Sequence, residues 1–279
     1  MPSRSGSVPC PAVRLAGTTT GFLGVSSKTV SHPSLTDPYR VFGRNYADVR
    51  RPDPRIARQL HAALGGATTM VNVGAGTGSY EPADRQVLAV EPSVTMLRQR
   101  GPGSAPVVRA AAVALPCGDG RFDAALALLT VHHWRDPVAG LTELRRVARR
   151  QVVLTWDVEV MARYWLVADY LPEITARERR LATVDTVLDV LGAAEVQVVE
   201  VPWDCTDGFL AAYWRRPAAY LEDGVRAGMS GVAALPETAV RPAMAQLAAD
   251  LRTGAWQRRH DAVLSQESLD VGYRLVIAS

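Results

Sequence analysis

The sequence predicts an α/β fold in which helices cover both faces of a seven-stranded, mostly parallel sheet. Residues 71–80 and 87–91 read as a buried strand, a glycine loop, a second buried strand and an acidic residue at its tip. Phe122–Leu128 is an almost continuous apolar run, as expected of a strand that is buried on both faces. Strands and helices alternate between residues 69 and 156, which is typical of a doubly wound sheet.

The composition is that of a globular protein. With 279 residues, 48% of them hydrophobic, the chain is long enough to bury a full core. The formal net charge is only +3 and Lys28 is the sole lysine, so bulk electrostatics predict no nucleic-acid partner. No apolar run reaches membrane-spanning length, and the N-terminus does not read as a signal peptide, so we expect no membrane partner. Cys10, Cys117 and Cys205 are widely spaced, which predicts neither a disulfide framework nor a metal site and favours a cytoplasmic location.

Two segments of different composition are expected. Residues 1–35 are rich in Ser, Thr, Gly and Pro and predict a flexible tail. Residues 36–279 are predicted to form one domain, because no low-complexity linker divides them. Within this domain we expect a core over about residues 53–156 and helical lid segments over about residues 157–193 and 206–260.

Three helices of the core are predicted from their N-caps. Asp53 and Pro54 suit the cap and first residue of a helix that runs to about Leu64. Ser93–Arg100 reads as a short helix capped by its serine, and Asp136 is expected to cap a helix that extends to Arg150. Further helices are expected at Phe209–Arg215, at about Glu237–Arg252 and near Trp256.

Seven strands are predicted from apolar runs bounded by turn residues. They are Thr69–Val73, residues 87–90, Pro106–Arg109, Phe122–Leu128, Gln151–Trp156, Glu195–Val201 and Gly272–Ala278. Little room lies between Gly78 and Val87, and Pro82 interrupts it. Because a parallel crossover usually needs about a dozen residues, we expect any helix there to be abbreviated.

The glycine loop predicts a site for a nucleoside-containing cofactor. Glycines allow a ligand to approach the backbone closely and permit positive φ angles. Glu91 follows the second strand, where a carboxylate would accept hydrogen bonds from a ribose diol. The dinucleotide fingerprint G-x-G-x-x-G is not matched, because Ser79 stands where its third glycine would be, so a nicotinamide-dependent oxidoreductase is disfavoured. The structural alternative is a glycine turn between two core strands.

Three motifs then carry a resemblance to a known family. They are G-x-G-x-G followed by E-P-S-x-x-M at residues 91–96, L-P-x-x-D-x-x-F-D at residues 115–123, and H-H-x-x-D at residues 132–136. Together they resemble the class I methyltransferases that use S-adenosylmethionine (SAM), in their ubiquinone-methylase-like, type 11 branch. The resemblance covers roughly residues 37–156. It implies a Rossmann-like fold and SAM as the cofactor, and it does not identify the methyl acceptor.

The resemblance also implies which residues bind the cofactor. Glycine-loop residues would line the methionine and ribose, an acidic residue would bind the ribose hydroxyls, and apolar residues would flank the adenine and lie beneath the sulfonium. The loop residues are Gly74, Ala75 and Gly76, and the acidic residue is Glu91. The residues that flank the adenine are Pro92, Met96, Ala111 and Ala112, and those beneath the sulfonium are Leu129 and Thr130. Two departures weaken individual contacts: Asn72 stands where Asp is usual, and Ala111 stands where an acidic residue often receives the adenine amine.

An N-terminal segment is expected to fold over SAM in this branch, which points to Tyr39, Tyr46 and Arg51. An arginine there would hold the methionine carboxylate in a bidentate pair. The alternative is a solvated arginine face with tyrosines in the core.

His132 and His133 are candidate catalytic bases, since histidine titrates near neutral pH. The same pair recurs in family members with unrelated acceptors, so a structural role is the alternative. Methyl transfer from SAM is an in-line displacement, in which positioning supplies much of the acceleration.

The acceptor is expected to be a small aromatic or heteroaromatic metabolite of specialised metabolism. All six tryptophans lie after residue 133, many of them in the predicted lid, where they would suit a planar apolar acceptor. The alternative is that these aromatic residues only pack the helices against one another. C-methylation, for example of an indole, and O- or N-methylation both stay open, as does a monomer or a homodimer. The competing hypothesis is a non-catalytic SAM- or nucleoside-binding regulatory protein.

Overall fold

The computed structural model describes residues 46–192 and 194–279. The predicted tail at residues 1–35, together with Tyr39, lies outside the described residues.

Seven strands form the central sheet, in the order β3-β2-β1-β4-β5-β9-β6, and two short strands form a second sheet. The strands are β1 (Thr69–Val73), β2 (Gln86–Val90), β3 (Val107–Val108), β4 (Phe122–Leu128), β5 (Ala148–Trp156), β6 (Ala194–Val198), β7 (Val201–Pro202), β8 (Ser268–Leu269) and β9 (Tyr273–Ala278). Strands β1 to β5 are mutually parallel, whereas β9 is antiparallel to β5 and β6. The predicted seven-stranded, mostly parallel sheet is confirmed.

The helices lie on both sides of this sheet. The α-helices of the described residues are α1 (Tyr46–Val49), α2 (Pro54–Ala63), α3 (Val94–Leu97), α4 (Pro137–Val147), α5 (Val158–Met161), α6 (Glu173–Glu178), α7 (Val184–Leu191), α8 (Asp223–Ala227), α9 (Ser230–Ala233), α10 (Glu237–Thr253), α11 (Ala255–Arg259) and α12 (Asp261–Leu264). Short 3₁₀ helices occur at Val131–His133 and Pro217–Leu221, and a π-helix at Leu166–Tyr170.

Alternate residues of the strands enter two separate apolar layers, as the period of two in a strand requires. Met70 and Leu126 pack in one layer with Leu60 of α2. Val71 packs in the other layer with Leu141 of α4. This two-sided burial explains why the parallel strands read as near-continuous apolar runs.

The predicted caps are observed. Asp53, Ser93 and Asp136 each accept a hydrogen bond from a backbone amide in the first turn of their helix. The helix after Asp136 is shorter than predicted, because it ends at Val147 and β5 already begins at Ala148.

Two predicted elements are wrong. Residues 209–215 form consecutive turns rather than a helix, with bonds such as Ala212 N–H to Phe209 O spanning three residues. The buried indole of Trp214 donates to Val201 O at 2.9 Å, which ties this segment to the small sheet and away from helical pairing. The strand predicted to reach Val201 also ends early, at Val198, because Val201 belongs to that second sheet.

No helix within the described ranges is long and apolar enough to cross a membrane.

Candidate active site

The glycine loop begins where β1 ends and is fixed by close backbone packing. Gly74 and Gly76 have φ angles of 71° and 53°, which side-chain-bearing residues rarely adopt. The N–H groups of Gly74 and Ala75 donate to Val90 O at 2.8 and 3.1 Å, so the loop is tied to the end of β2. A Cβ at Gly74 would stand 2.0 Å from Thr130 Oγ1. Glycine is therefore required for the end of β4 to approach the loop.

Glu91 is held in position by two backbone amides. Its Oε2 accepts from Gly76 N–H and its Oε1 accepts from Ser93 N–H, both at 2.7 Å. The residue is only 4% exposed and lines the adjoining cavity. A carboxylate accepts hydrogen bonds at up to about four lone-pair sites, which is the chemistry that a ribose diol requires.

A cavity of about 1510 Å³ lies at this edge of the sheet, where the parallel strands end. Of the described residues that the resemblance assigns to the cofactor, all but Arg51 line it. They are Tyr46, Gly74, Ala75, Gly76, Glu91, Pro92, Met96, Ala111, Ala112, Leu129 and Thr130. His133 also lines it. The fold thus brings together residues from α1, α3 and the segments that follow β1, β2, β3 and β4.

Arg51 is the exception, and its neighbour Arg50 lines the cavity instead. Arg51 is exposed and does not line the cavity, whereas the Arg50 side chain is only 10% exposed and does. Arg50 directly follows α1, its backbone N–H donates to Tyr46 O at 2.9 Å, and its guanidinium donates to the Tyr46 hydroxyl.

Arg50 belongs to a buried network that joins three parts of the chain. Its Nε donates to Asp207 Oδ1 at 2.6 Å, and Asp207 is fully buried. The Tyr80 hydroxyl donates to Asp207 Oδ2 at 2.8 Å and accepts from Asp53 N–H at 3.2 Å. This network fixes the segment after β7 and α1 against the glycine loop.

The departure at Asn72 is explained by a buried ion pair that sequence reasoning missed. Asn72 Nδ2 donates to Glu81 Oε1 at 3.1 Å, and Arg100 Nη2 donates to Glu81 Oε2 at 2.8 Å. Arg100 and Glu81 are 5% and 7% exposed, and Arg100 Nη1 also donates to Gly76 O at 3.2 Å. An aspartate at position 72 would place a second carboxylate against Glu81. The neutral amide of Asn72 avoids that repulsion, and the Arg100–Glu81 ion pair supports the glycine loop through the bond from Arg100 to Gly76 O.

A second, smaller cavity of about 50 Å³ adjoins the first. The two share Tyr46, Arg50, Leu129 and His133 as wall residues. The remaining wall of the smaller cavity is largely aromatic and apolar, with five residues that have polar side-chain atoms. The polar ones are His132, Trp156, Glu178, Ser230 and Tyr273, and the others are Met161, Phe209, Leu210, Gly228, Met229 and Gly231. Glu178 was not singled out as a site residue by the sequence, because it belongs to no motif.

His132 is buried and His133 is half-buried, and the pKa of each imidazole is lowered below its ordinary value. Burial first, and then the charges of Arg177 and Arg50, lower the pKa of His133 to about 4. Burial also lowers the pKa of His132 well below its ordinary value, helped by His133. Their ring centroids lie 3.8 Å apart, and His132 packs against the Trp156 indole with a centroid distance of 4.2 Å. An imidazole with so low a pKa accepts a hydrogen bond readily but holds a proton poorly at neutral pH.

Together these features define a class of protein. A doubly wound sheet with a glycine loop at the carboxyl end of β1, and a carboxylate at the tip of β2, is an α/β enzyme fold that binds a nucleoside-containing cofactor.

The comparisons with known proteins identify the family. Residues 71–155 match the family model described as a methyltransferase domain. The structure is similar to that of a candidate methyltransferase from an antibiotic biosynthesis pathway of Anabaena variabilis, with 30% identity, a TM-score of 0.76, and coverage of 83% of this chain and 99% of that one. None of the curated protein sequences is significantly similar to the chain. The chain therefore belongs to the SAM-dependent class I methyltransferases of the type 11 branch, and SAM is its cofactor.

More distant structures share the fold to a lesser degree. A SAM-dependent methyltransferase from Thermotoga maritima has 20% identity, covers 58% of this chain and 78% of its own, and has a TM-score of 0.43. The geranyl diphosphate C-methyltransferase from Streptomyces coelicolor has 17% identity, with coverage of 80% and 78% and a TM-score of 0.44. At these scores neither structure supports an argument about the acceptor of this chain.

The residues of the larger cavity fit SAM. Gly76 has open space where a Cβ would project, so its backbone is accessible to a ligand. The carboxylate of Glu91 offers acceptors to a ribose diol. Met96 supplies an apolar surface of the kind that flanks an adenine ring.

Proposed function

We propose that the chain transfers the methyl group of SAM to a small aromatic or heteroaromatic metabolite of specialised metabolism. The observation that carries this proposal is the smaller cavity, which adjoins the larger one and is walled by aromatic rings. Trp156, Phe209 and Tyr273 are 6%, 6% and 4% exposed. The ring centroids of Phe209 and Tyr273 lie 4.8 Å apart in a T-shaped contact. These walls suit contact with the edge or a substituent of a planar acceptor whose ring extends towards the larger cavity, since aromatic pairs favour edge-to-face and offset contacts.

The pathway context of a relative supports the same proposal. The Anabaena variabilis structure, which this chain matches over 99% of that chain's length, is described as belonging to an antibiotic biosynthesis pathway. Both C-methylation, for example of an indole ring, and O- or N-methylation are compatible with an aromatic acceptor.

In this proposal the larger cavity holds the cofactor. Glu91 binds the ribose hydroxyls, and Gly74 and Gly76 let the loop backbone approach the cofactor. Arg50 takes the place first expected of Arg51: its guanidinium, already oriented by Asp207, has further N–H groups for a carboxylate. When bound, SAM supplies a methyl group on a cationic sulfonium, which is electrophilic without further activation.

The two histidines act in this proposal by orientation. Because the pKa of His133 is lowered to about 4, its neutral ring is suited to accept a hydrogen bond from the acceptor rather than to store a proton. Exclusion of water and alignment of the acceptor then supply most of the acceleration. His132, packed on Trp156, would keep His133 in place.

The test is methyl transfer from radiolabelled SAM to a panel of indoles, phenols and aromatic amines, with cyclohexanol and an alkylamine as non-aromatic controls. We expect label in at least one aromatic acceptor and none in the non-aromatic controls. Equal labelling of aromatic and non-aromatic members would contradict an aromatic acceptor. Tight binding of SAM without turnover across a broad panel would favour the alternative, a non-catalytic SAM-binding regulatory protein.

A further inference from the structure

Three residues that line the smaller cavity each have a buried polar atom without a hydrogen-bond partner among the described residues. The atoms are His132 Nε2, Trp156 Nε1 and Glu178 Oε2. The three residues are 9%, 6% and 3% exposed. An unpaired buried donor or acceptor costs about 1–3 kcal/mol, so a folded chain rarely leaves several beside one another. Their presence in the wall of one cavity indicates a group that completes them when it binds.

The size of the cavity restricts that group. Its volume is about 50 Å³. A water molecule needs roughly 10–15 Å³ by the same measure, so the space admits a polar substituent of a few non-hydrogen atoms. It does not admit an entire ring. The remainder of a larger ligand would therefore extend towards the larger cavity, along the shared walls at Leu129 and His133.

The charges around the cavity favour a neutral group. Arg177 Nη1 donates to Glu178 Oε1 at 2.6 Å, and Arg50 is paired with Asp207 at 2.6 Å. Each cation is therefore balanced by a carboxylate. A carboxylate ligand would meet the free oxygen of Glu178 and be repelled, whereas an ammonium ion would leave the Trp156 N–H without an acceptor.

The hydrogen-bond donors and acceptors of Trp156 and Glu178 restrict which neutral group could bind in the smaller cavity. The indole N–H of Trp156 can only donate, and an ionised Glu178 can only accept. A hydroxyl satisfies both through one oxygen, because it donates one proton and accepts on its lone pairs. A primary amide satisfies both through its N–H and its C=O.

We propose that this cavity is the polar subsite of the acceptor, where Glu178 Oε2 and Trp156 Nε1 hold a hydroxyl or carboxamide substituent of its ring. The proposal rests on the proposed function and assigns the kind of substituent that the acceptor carries. Glu178 is a binding residue that selects acceptors, and Arg177 keeps its carboxylate oriented. Burial raises the pKa of Glu178 against the opposing effect of Arg177, as expected of a carboxyl group enclosed in a site rather than solvated.

The test uses the Trp156 indole signal as a local reporter. The ¹⁵N-labelled full-length protein, loaded with S-adenosylhomocysteine, is titrated with phenol and, in parallel, with toluene, which has the same ring without the hydroxyl. A Trp156→Phe variant assigns the signal. We expect phenol to shift the Trp156 N–H resonance saturably and toluene at the same concentration to leave it unchanged. A shift of equal size with toluene, or no shift with phenol, would overturn the subsite.

A matched pair of variants tests the role of the carboxylate. Glu178→Gln keeps the side-chain volume but replaces a charged acceptor, and we expect it to weaken phenol binding about tenfold. Glu159→Gln removes an exposed carboxylate that is paired with Arg179 on the same part of the chain, and phenol binding should stay at the wild-type value. Equal phenol affinity in wild type and Glu178→Gln would refute the assignment of Glu178. The wild-type comparison of phenol with toluene decides the matter even if Glu178→Gln fails to fold.

The outcomes separate this inference from the proposed function. Turnover of aromatic acceptors without any hydroxyl-dependent shift would overturn the subsite and keep the aromatic acceptor. A hydroxyl- and Glu178-dependent shift without turnover on the panel would support the subsite and count against the proposed function.

Discussion

Replacing Glu91 by glutamine is the sharpest perturbation of the cofactor site. The carboxylate accepts from Gly76 N–H and from Ser93 N–H, each at 2.7 Å, one through each oxygen. A glutamine has a single carbonyl oxygen, so its NH₂ group must face one of these amides as donor against donor. Glu91→Gln therefore disturbs the loop as well as any bond to the cofactor.

The magnitude follows from the kind of bond that is lost. A hydrogen bond to a charged group contributes about 1.5–3 kcal/mol, and each 1.4 kcal/mol is a factor of ten in affinity. We therefore expect Glu91→Gln to weaken binding of SAM and S-adenosylhomocysteine by roughly 10- to 150-fold. Isothermal titration calorimetry of folded protein measures both constants directly.

The control is a carboxylate at the opposite end of the sheet. Asp123 Oδ2 accepts from the N–H groups of Thr68 and Thr69 at 3.0 and 2.9 Å, at the start of β1. Asp123→Asn should lower the free energy of unfolding without changing cofactor affinity. If Glu91→Gln binds S-adenosylhomocysteine within twofold of wild type while it remains folded, Glu91 has no role in holding the cofactor and the reasoning is wrong.

Three further predictions concern buried charge. Asn72→Asp should lower the free energy of unfolding at pH 7 by about 2–4 kcal/mol in urea titrations. The new carboxylate would face Glu81, which the Asn72 amide contacts at 3.1 Å, and the two charges would repel each other. Unchanged stability would contradict this explanation of why asparagine stands at position 72. Arg50→Lys should weaken cofactor binding about tenfold by calorimetry, since a lysine cannot bond in a bidentate manner, whereas Arg51→Lys should have no effect. The pKa of His133 is about 4 in the folded state and about 6.5 in the unfolded chain, so between these pH values the unfolded chain binds one more proton than the folded one. The free energy of unfolding should therefore fall by on the order of 3 kcal/mol as pH drops from about 6.5 to 4. In His133→Asn the contribution of His133 to this pH dependence should vanish, and an identical pH dependence in both proteins would refute the lowered pKa of His133.

Much of the fold was predictable because local signals and tertiary environment agree. Thr69–Val73 and Phe122–Leu128 are strands over the residues predicted, since each is an apolar run with a clear end. Asp53 and Asp136 cap their helices as expected, because a cap depends only on the residues next to it. Where sequence-local chemistry decides the structure, the prediction succeeds.

The failures share a different cause, which is dependence on distant partners. Phe209–Arg215 has an apolar pattern compatible with a helix, yet the bond from Trp214 to Val201 O decides its path. Arg50 and Arg51 are adjacent and chemically alike, yet of the two it is Arg50 that lines the cavity and bonds Asp207. Because Asp207 lies far along the chain, the local sequence does not distinguish the two arginines.

The residues of the candidate site also differ in whether their partners are near or far in the sequence. The predicted cofactor residues that line the larger cavity could be named from the sequence, because the motifs that contain most of them are contiguous. Glu178 was not, since it lies in α6, far along the chain from any of those motifs, and only the folded structure brings it beside His132 and Trp156. The residues proposed to select an acceptor are therefore the ones that a motif search is least able to find.

The segment from Ser79 to Gln86 shows how this chain manages without a helix after its glycine loop. Its residues form turns, yet β1 and β2 remain parallel and in register from Thr69 opposite Gln86 onward. Two side chains of this segment hold the glycine loop in place where other members would use a packed helix. Tyr80 forms a hydrogen bond with Asp207, and Glu81 forms hydrogen bonds with Arg100 and Asn72. Tyr80 adopts a φ of 65°, a conformation that costs about 1–2 kcal/mol for a residue with a side chain. That strain is tolerated because the turn carries both side chains inward, and so the rigidity of the cofactor loop comes from buried polar anchors rather than from helix packing.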